Sequence, residues 1–252
     1  MDRTHFDFSG TTALVTGGAA GIGAATSVAF KRSGAAVVAC GLTDEELATA
    51  RANPDFAGID VERLDVTDPA SVVAFLSGLT RLDHVVNSAG IVLRDAEHDP
   101  AVFDKVLDVN VSGGMRVTTA ARPLLARTGG SVVFPASIMS YFGGPRQPAY
   151  STSKGAVRNL TMSLAAAYAA DGIRVNSVAP GWVVTDLSRG ARENPERFAH
   201  INGRLPLGRW AETGRDRGTD PVPVLGRRPL HHGQHPHCRR RVFESRLTQR
   251  HI

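Results

Sequence analysis

Thr11-Thr-Ala-Leu-Val-Thr16-Gly17-Gly-Ala-Ala-Gly21-Ile-Gly23 decides the fold. Its first six residues are a short β-branched and apolar run, the next seven are rich in glycine, and Ala24 to Arg32 beyond them is rich in helix formers. That order reads strand, turn, helix. Glycines let the backbone turn tightly and approach a pyrophosphate closely, while the free N–H groups and positive dipole end of a helix receive its charge. A glycine-rich string alone could be a packing turn. Placed directly after a strand and opening a helix, it has the position that a dinucleotide-binding turn requires.

Outward from this stretch, strands and helices keep alternating. Further strands are predicted over Ala36 to Cys40, within Gly58 to Asp65, and over Asp83 to Asn87, Ser131 to Ala136 and Ile173 to Val178. Helices are predicted over Ala101 to Asp108, Met115 to Ala126 and Ser151 to Ala170; in the last, Val157, Leu160 and Leu164 recur at helical spacing and mark a buried face. The alternation implies an α/β fold, a Rossmann-like, doubly wound parallel sheet in a single domain. Ligands of such sheets sit beyond the carboxyl ends of the strands, so Asp65, Asn87, Ser137 and Pro180-Gly181 are expected to line one crevice.

Ser137 and Tyr150-Ser-Thr-Ser-Lys154 carry the chemistry. A tyrosine and a lysine four residues apart share one helix face, and a cation beside a phenol favours phenolate and brings it nearer to acid/base duty at neutral pH. The pattern suggests proton exchange with an alcohol or ketone. A bare Tyr-x-x-x-Lys also fits an ordinary surface helix, so its context decides.

Taken together, Thr16 to Gly23, Asn87-Ser-Ala-Gly90, Asn110, Ser137, Tyr150 with Lys154, and Pro180-Gly181 with Thr185 resemble the ordered motif set of the short-chain dehydrogenase/reductase family, including members like 3-oxoacyl-ACP reductases and cyclic alcohol dehydrogenases. The match runs from about Phe8 to Trp210. The resemblance implies an oxidoreductase (ketoreductase) that transfers a hydride between NAD(P) and a secondary alcohol or ketone. It makes Tyr150 the acid/base, Lys154 the group that lowers its pKa and holds the nicotinamide ribose, and Ser137 the donor that orients the substrate oxygen. Asn110 would help hold a water relaying protons from Lys154. Gly17, Gly21, Ile22, Gly23, Asp65, Val66, Asn87, Ala89, Gly90, Pro180, Gly181 and Thr185, with Tyr150 and Lys154, would bind the cofactor. Asn110 could instead brace a helix, and Asp65 could serve a turn or helix cap. Ser140 is a second hydroxyl, but its spacing from Tyr150 makes Ser137 the better match. Cys40 reads as a small buried strand residue, and His84 and His98 as structural or exposed.

NAD and NADP are not distinguished at this point. Where the family places an aspartate or a basic residue at the end of the second strand, this chain has Gly41 and Leu42; Thr43 or Asp44 could still reach the ribose. Ser88 stands where relatives often repeat asparagine, and Pro135 limits hydrogen bonding near the fifth strand's end.

The family pattern holds through Pro206-Leu-Gly-Arg-Trp210-Ala-Glu and then stops. From Gly214 to Ile252 the chain has nine Arg, five His and four Pro against three acids, so this tail carries +6 of the net +5 and the remainder −1. No helical or strand period survives in it. A single extra G at the Gly214 codon accounts for this: shifting the frame back restores DEIAGPIPFLCSDAARFITGSTLTVDGGY, which resembles the family's missing last helix and strand. Residues 1–213 are therefore expected to form the NAD(P)-binding domain, with 186–213 as a substrate lid, and residues 214–252 an out-of-frame, disordered basic tail. The resemblance places the lost seventh strand beside the sixth, leaving that edge unpaired. His231, His232, His235, His237 and Cys238 could form a zinc site, and the Arg run could hold phosphates; the frameshift explains composition and lost period together, and neither metal nor nucleic acid is expected. A catalytically silent or misfolded chain retaining nucleotide binding is the alternative to an active enzyme. Two distant cysteines exclude a disulfide framework, and the absence of an apolar leader or membrane-length run leads to the expectation of a cytoplasmic enzyme. The family would make it a homotetramer, with a small-molecule substrate.

Overall fold

The sheet is built from runs that are apolar almost without interruption, as strands covered by helices on both faces must be. In the computed structural model, which describes residues 6–205 and 207–213, these are Thr12–Thr16 (β1), Ala36–Gly41 (β2), Asp60–Arg63 (β3), His84–Asn87 (β4), Ser131–Pro135 (β5) and Arg174–Val178 (β6). All pair in parallel, in the order β3-β2-β1-β4-β5-β6. The order reverses between β1 and β4, which puts a ligand crevice beyond their carboxyl ends.

Side chains alternate between two cores. Leu14, Val85, Val132 and Phe134 face Val72 and Leu76 of Pro69–Ser77 (α3), Val117 and Leu125 of Gly114–Thr128 (α5), and Val157 and Leu164 of Pro148–Tyr168 (α6). Ala13, Val15, Val37 and Ala39 face Phe30 of Gly21–Arg32 (α1) and Leu47 and Ala50 of Asp44–Ala52 (α2). His84 is structural: its Nδ1 lies 2.9 Å from Ser131 Oγ, its ring stacks on Phe30, and burial pushes its pKa down to about 4. His98 meets the Pro145 carbonyl at 2.9 Å. Cys40 is buried, and its thiol is pushed up to about 12 by burial and the nearby Glu62.

All six strands read from the sequence are present, and α6 starts earlier than its periodicity indicates. Pro148 occupies the first turn, where its missing N–H is harmless, and this draws Tyr150 into the helix. Pro100–Leu107 (α4) runs into a π-helical turn over Asp108–Gly113 before α5 begins. Beyond β6, Val183–Val184 (β7) pairs in parallel with Ala211–Glu212 (β8), and the short helices Arg189–Arg192 (α7) and Pro195–Asn202 (α8) lie between them. Trp182 packs on Trp210 and Phe198 on Trp210, with ring centroids 4.8 and 5.6 Å apart, closing this segment on itself. Among the described residues β6 is the last strand of the main sheet; residues 214–252, on which the expectations of a frameshift and a disordered tail and the His/Cys zinc alternative fall, lie outside them.

Candidate active site

The glycine turn is shaped by contacts that leave no room for a side chain. Gly17 has φ +62°, and a Cβ there would lie 2.8 Å from Ala89 N and 2.9 Å from Ser88 C. A Cβ on Gly23 would collide with the Gly17 carbonyl. Gly18 N donates to Cys40 O at 2.7 Å, binding the turn to the end of β2. Thr43, Asp68 and Asp99 cap α2, α3 and α4 with side chains, but Ala20 gives α1 no side-chain cap, and the first turn of α1 holds no acid. Unmet N–H groups beside a turn stripped of side chains fit a dinucleotide's pyrophosphate. Thr185 stands over this end, its Cγ2 3.7 Å from where a Gly21 Cβ would be. Ile22 lies in the first turn of α1, its carbonyl accepting from Thr26 Oγ1 at 2.8 Å.

The ends of β4, β5 and β6 bring the remaining residues to the same crevice. Asn87 Nδ2 donates to Thr118 Oγ1 at 2.9 Å, fixing the end of β4, and Ala89 N donates to Thr16 Oγ1 at 3.3 Å. Gly90 lies between two catalytic candidates: a Cβ there would be 3.2 Å from Asn110 Oδ1 and 4.0 Å from Lys154 Nζ. Pro180 O accepts from Ile138 N at 3.4 Å, and Gly181 follows it into open space. Asp65 is the turn former its second reading describes: Oδ1 accepts from Thr67 N and Oγ1 at 2.8 and 2.7 Å, and these bonds hold its pKa below the usual carboxylate range. Val66 packs where a Gly113 side chain would otherwise stand, and its carbonyl accepts from Arg116 at 3.3 Å.

Ser137, Tyr150 and Lys154 meet at the start of α6. Ser137 Oγ accepts from Met139 N at 3.1 Å, which leaves its O–H to donate, and it lies within hydrogen-bond reach of the Tyr150 hydroxyl. Ser140 Oγ is committed to Lys154 O at 2.7 Å, which removes it as a rival. Lys154 is half-buried, with Nζ donating to Pro135 O at 2.7 Å and lying 5.5 Å from the Tyr150 ring centroid; desolvation of its ammonium pushes its pKa down to about 8. Pro135, which limits hydrogen bonding at the end of β5, thus offers its carbonyl to Lys154.

Burial pushes the Tyr150 phenol up, the Ser137 hydrogen bond and the Arg94 cation pull it down, and Glu97 pushes it up, with a net rise. The Asn110 side chain braces the site. Its Oδ1 accepts from Ile91 N at 2.7 Å, and Nδ2 donates to Ile91 O and Ser153 Oγ at 2.9 and 3.0 Å, tying the loop after β4 to α6 through the π-helical turn.

Arg94 and Glu97 were not singled out in the sequence. Glu97 is only 1% exposed; Oε1 accepts from Leu93 N and Oε2 from Tyr150 N, both at 2.8 Å, so it holds the backbone of Tyr150. Arg94 Nε donates to Gln147 Oε1 at 3.0 Å and its NH1 to Leu187 O at 3.1 Å, joining α6 to the lid segment. Arg94 directly follows the Asn87 to Leu93 run, a position that could have flagged it; an acid in an irregular loop gives no such signal.

The short chain dehydrogenase family model matches residues 11–196. The chain is 34% identical over 218 residues to the 2-dehydro-3-deoxy-D-gluconate 5-dehydrogenase of Pseudoalteromonas atlantica, covering 81% of this chain and 85% of that one. It is 38% identical over 221 residues to the L-tagatose-forming galactitol 2-dehydrogenase of Cereibacter sphaeroides, covering 83% and 86%. A solved gluconate 5-dehydrogenase from Burkholderia cenocepacia, in complex with NADP and tartrate, superposes with a TM-score of 0.76 at 30% identity, covering 83% of this chain and 86% of that one.

Proposed function

The chain belongs to the short chain dehydrogenase family and is an NAD(P)-dependent oxidoreductase of secondary alcohols and ketones; within that class we propose that Tyr150 is its acid/base, Ser137 its substrate-oxygen donor and Lys154 its proton reservoir. The observation that carries this assignment is the grouping of the three at the start of α6, with Ser137 in hydrogen-bond reach of the Tyr150 hydroxyl and Lys154 Nζ 5.5 Å from the Tyr150 ring centroid. In reduction the Tyr150 hydroxyl gives its proton to the carbonyl oxygen while Ser137 donates a hydrogen bond to it; in oxidation the phenolate takes the hydroxyl proton. The nicotinamide, when bound, supplies or accepts the hydride. Lys154, pushed down to about 8, exchanges protons near neutral pH and returns one to Tyr150. Asn110 acts through position, holding Ile91 and Ser153. Residues Gly17, Gly21, Ile22, Gly23, Asp65, Val66, Asn87, Ala89, Gly90, Pro180, Gly181 and Thr185 form the wall against which the cofactor rests.

The substrate is a small polyhydroxylated compound carrying a carboxylate. Arg94 supports this: it is half-buried, lies close enough to Tyr150 to act on its charge, and meets no carboxylate within ion-pair distance among the described residues. Relatives named for gluconate-type acids point the same way. A panel of aldonates, their keto forms, matching neutral polyols and simple ketones, followed by nicotinamide absorbance, tests it. Turnover of acids above polyols supports the reading; preference for simple ketones overturns it.

Residues 1–213 are the catalytic domain in this reading, with 186–213 as its lid, and residues 214–252 are out of frame. Reading the gene across Glu212 to Asp216 tests the last point, since an uninterrupted frame with no spare G overturns it. No described helix is long and apolar enough to cross a membrane; we place the enzyme in the cytoplasm and, with its frame restored, in a homotetramer, which fractionation and light scattering would check.

A further inference from the structure

The end of β2 is where an acidic or basic residue chooses between the two nicotinamide dinucleotides, and it holds Gly41 and Leu42. The structure fills that place from the following helix. Glu46 bends back so that its Oε2 accepts from Leu42 N at 3.0 Å and from Thr43 N at 3.3 Å, while Thr43 Oγ1 accepts from Glu46 N at 3.2 Å. This capping box sets the Glu46 carboxylate 3.4 Å from where a Gly41 Cβ would be; that same point is 3.0 Å from Ala19 Cβ in the glycine turn. The carboxylate therefore sits on the rim shared by the turn and the end of β2.

Four features of this rim oppose a phosphate. The two N–H groups best placed to receive one, at Leu42 and Thr43, are taken by Glu46. Arg63, the register partner of Gly41, is ion-paired with Asp44. Arg116, which donates to the Val66 carbonyl beyond β3, is held by Asp108 at 2.6 Å. Asp44, Glu45 and Glu46 together make the first turn of α2 acidic. A ribose 2′-hydroxyl can donate to a fixed carboxylate, whereas a 2′-phosphate beside it meets a like charge and finds its donors occupied.

We propose that this enzyme uses NAD rather than NADP, and that Glu46, presented by the α2 capping box, is the residue that excludes the 2′-phosphate. The proposal rests on the reading of the glycine turn as a nicotinamide dinucleotide site. The full chain is titrated with NADH and with NADPH, following nicotinamide fluorescence, so that binding is read without turnover. NADH is expected to bind about tenfold or more tightly than NADPH. Glu46→Gln keeps the capping box, since glutamine serves it as well, and is expected to tighten NADPH while leaving the melting temperature in place. Leu42→Arg supplies a cation without touching the cap and is expected to tighten NADPH further. Wild-type affinity for NADPH equal to or above that for NADH overturns the proposal, and an unchanged ratio in Glu46→Gln overturns the role of Glu46. Binding of neither nucleotide by a chain with a cooperative melt overturns the dinucleotide reading itself, and this inference with it.

Discussion

The crevice has two halves built in opposite ways. Around Gly17 to Gly23 the backbone forms the site: side chains are excluded by contacts such as Gly17 on Ala89, and the first N–H groups of α1 are left uncapped. Around Ser137 to Lys154 the side chains form the site, and they are partly or fully buried, ionisable at Tyr150 and Lys154, and held through Pro135, Glu97 and Asn110. The first half recognises through shape and N–H groups, so it fails when atoms are added. The second acts through ionisable groups held at a cost in desolvation, so it fails when atoms are removed.

Tyr150→Phe gives the largest separation between the halves. Turnover should fall by about 10³-fold, within the range of lost acid/base catalysis, while dinucleotide affinity stays near its starting value. Retained turnover would break the assignment of the side-chain half. Gly17→Val is the converse: a β-branched residue at φ +62° against backbone atoms 2.8 Å away should abolish dinucleotide binding and cost about 3 kcal/mol of stability. A valine variant that melts normally and binds nucleotide would show that the turn does not need its bare backbone.

Most of the backbone half was legible in the sequence, because a strand, a glycine turn and a helix are local patterns and Gly17 and Gly23 announce themselves. The six strands followed for the same reason. Glu97 and Glu46 were not legible: an acid's function there depends on which N–H group it meets across a loop, and Glu97 meets Tyr150 over 53 residues of chain. Asn110 stands out by resemblance and a brace is its second reading, but its three partners on Ile91 and Ser153 depend on the π-helical turn, which the sequence does not signal. Helix spacing gives Tyr150 and Lys154 as neighbours without giving the burial that raises the phenol.

Stability should respond with opposite sign in the two halves. Lys154→Met removes a buried cation and keeps an unbranched side chain, so activity is lost while the fold gains about 1 to 2 kcal/mol near pH 7. Burial depresses the Lys154 pKa from 10.5 to about 8, so over that window the unfolded chain binds the extra proton and wild-type stability rises with pH. The advantage of methionine should therefore be full below pH 8 and close above about pH 10. Chemical denaturation of both proteins at pH 7 and pH 10 checks this, and a variant less stable than wild type at pH 7 would mean that the Pro135 bond outweighs desolvation.

The smallest effects fall on the two residues that flank Tyr150. Arg94 draws the phenol toward phenolate and Glu97 away from it, so their removal should move the pH dependence of alcohol oxidation in opposite directions. With Arg94→Gln the rising limb moves to higher pH, and with Glu97→Gln to lower pH, each by roughly half a unit, since both groups act at a distance and are partly screened. Glu97→Gln also leaves one of the Leu93 and Tyr150 N–H groups without its acceptor, so it should lose about 1 to 3 kcal/mol of stability. Arg94→Gln loses no buried acceptor of that kind and should melt close to wild type. Shifts of the same sign in both variants would mean that the pH limb reports the shape of the Tyr150 turn rather than its charges, and the side-chain half would then resemble the backbone half more closely than its buried, ionisable groups indicate.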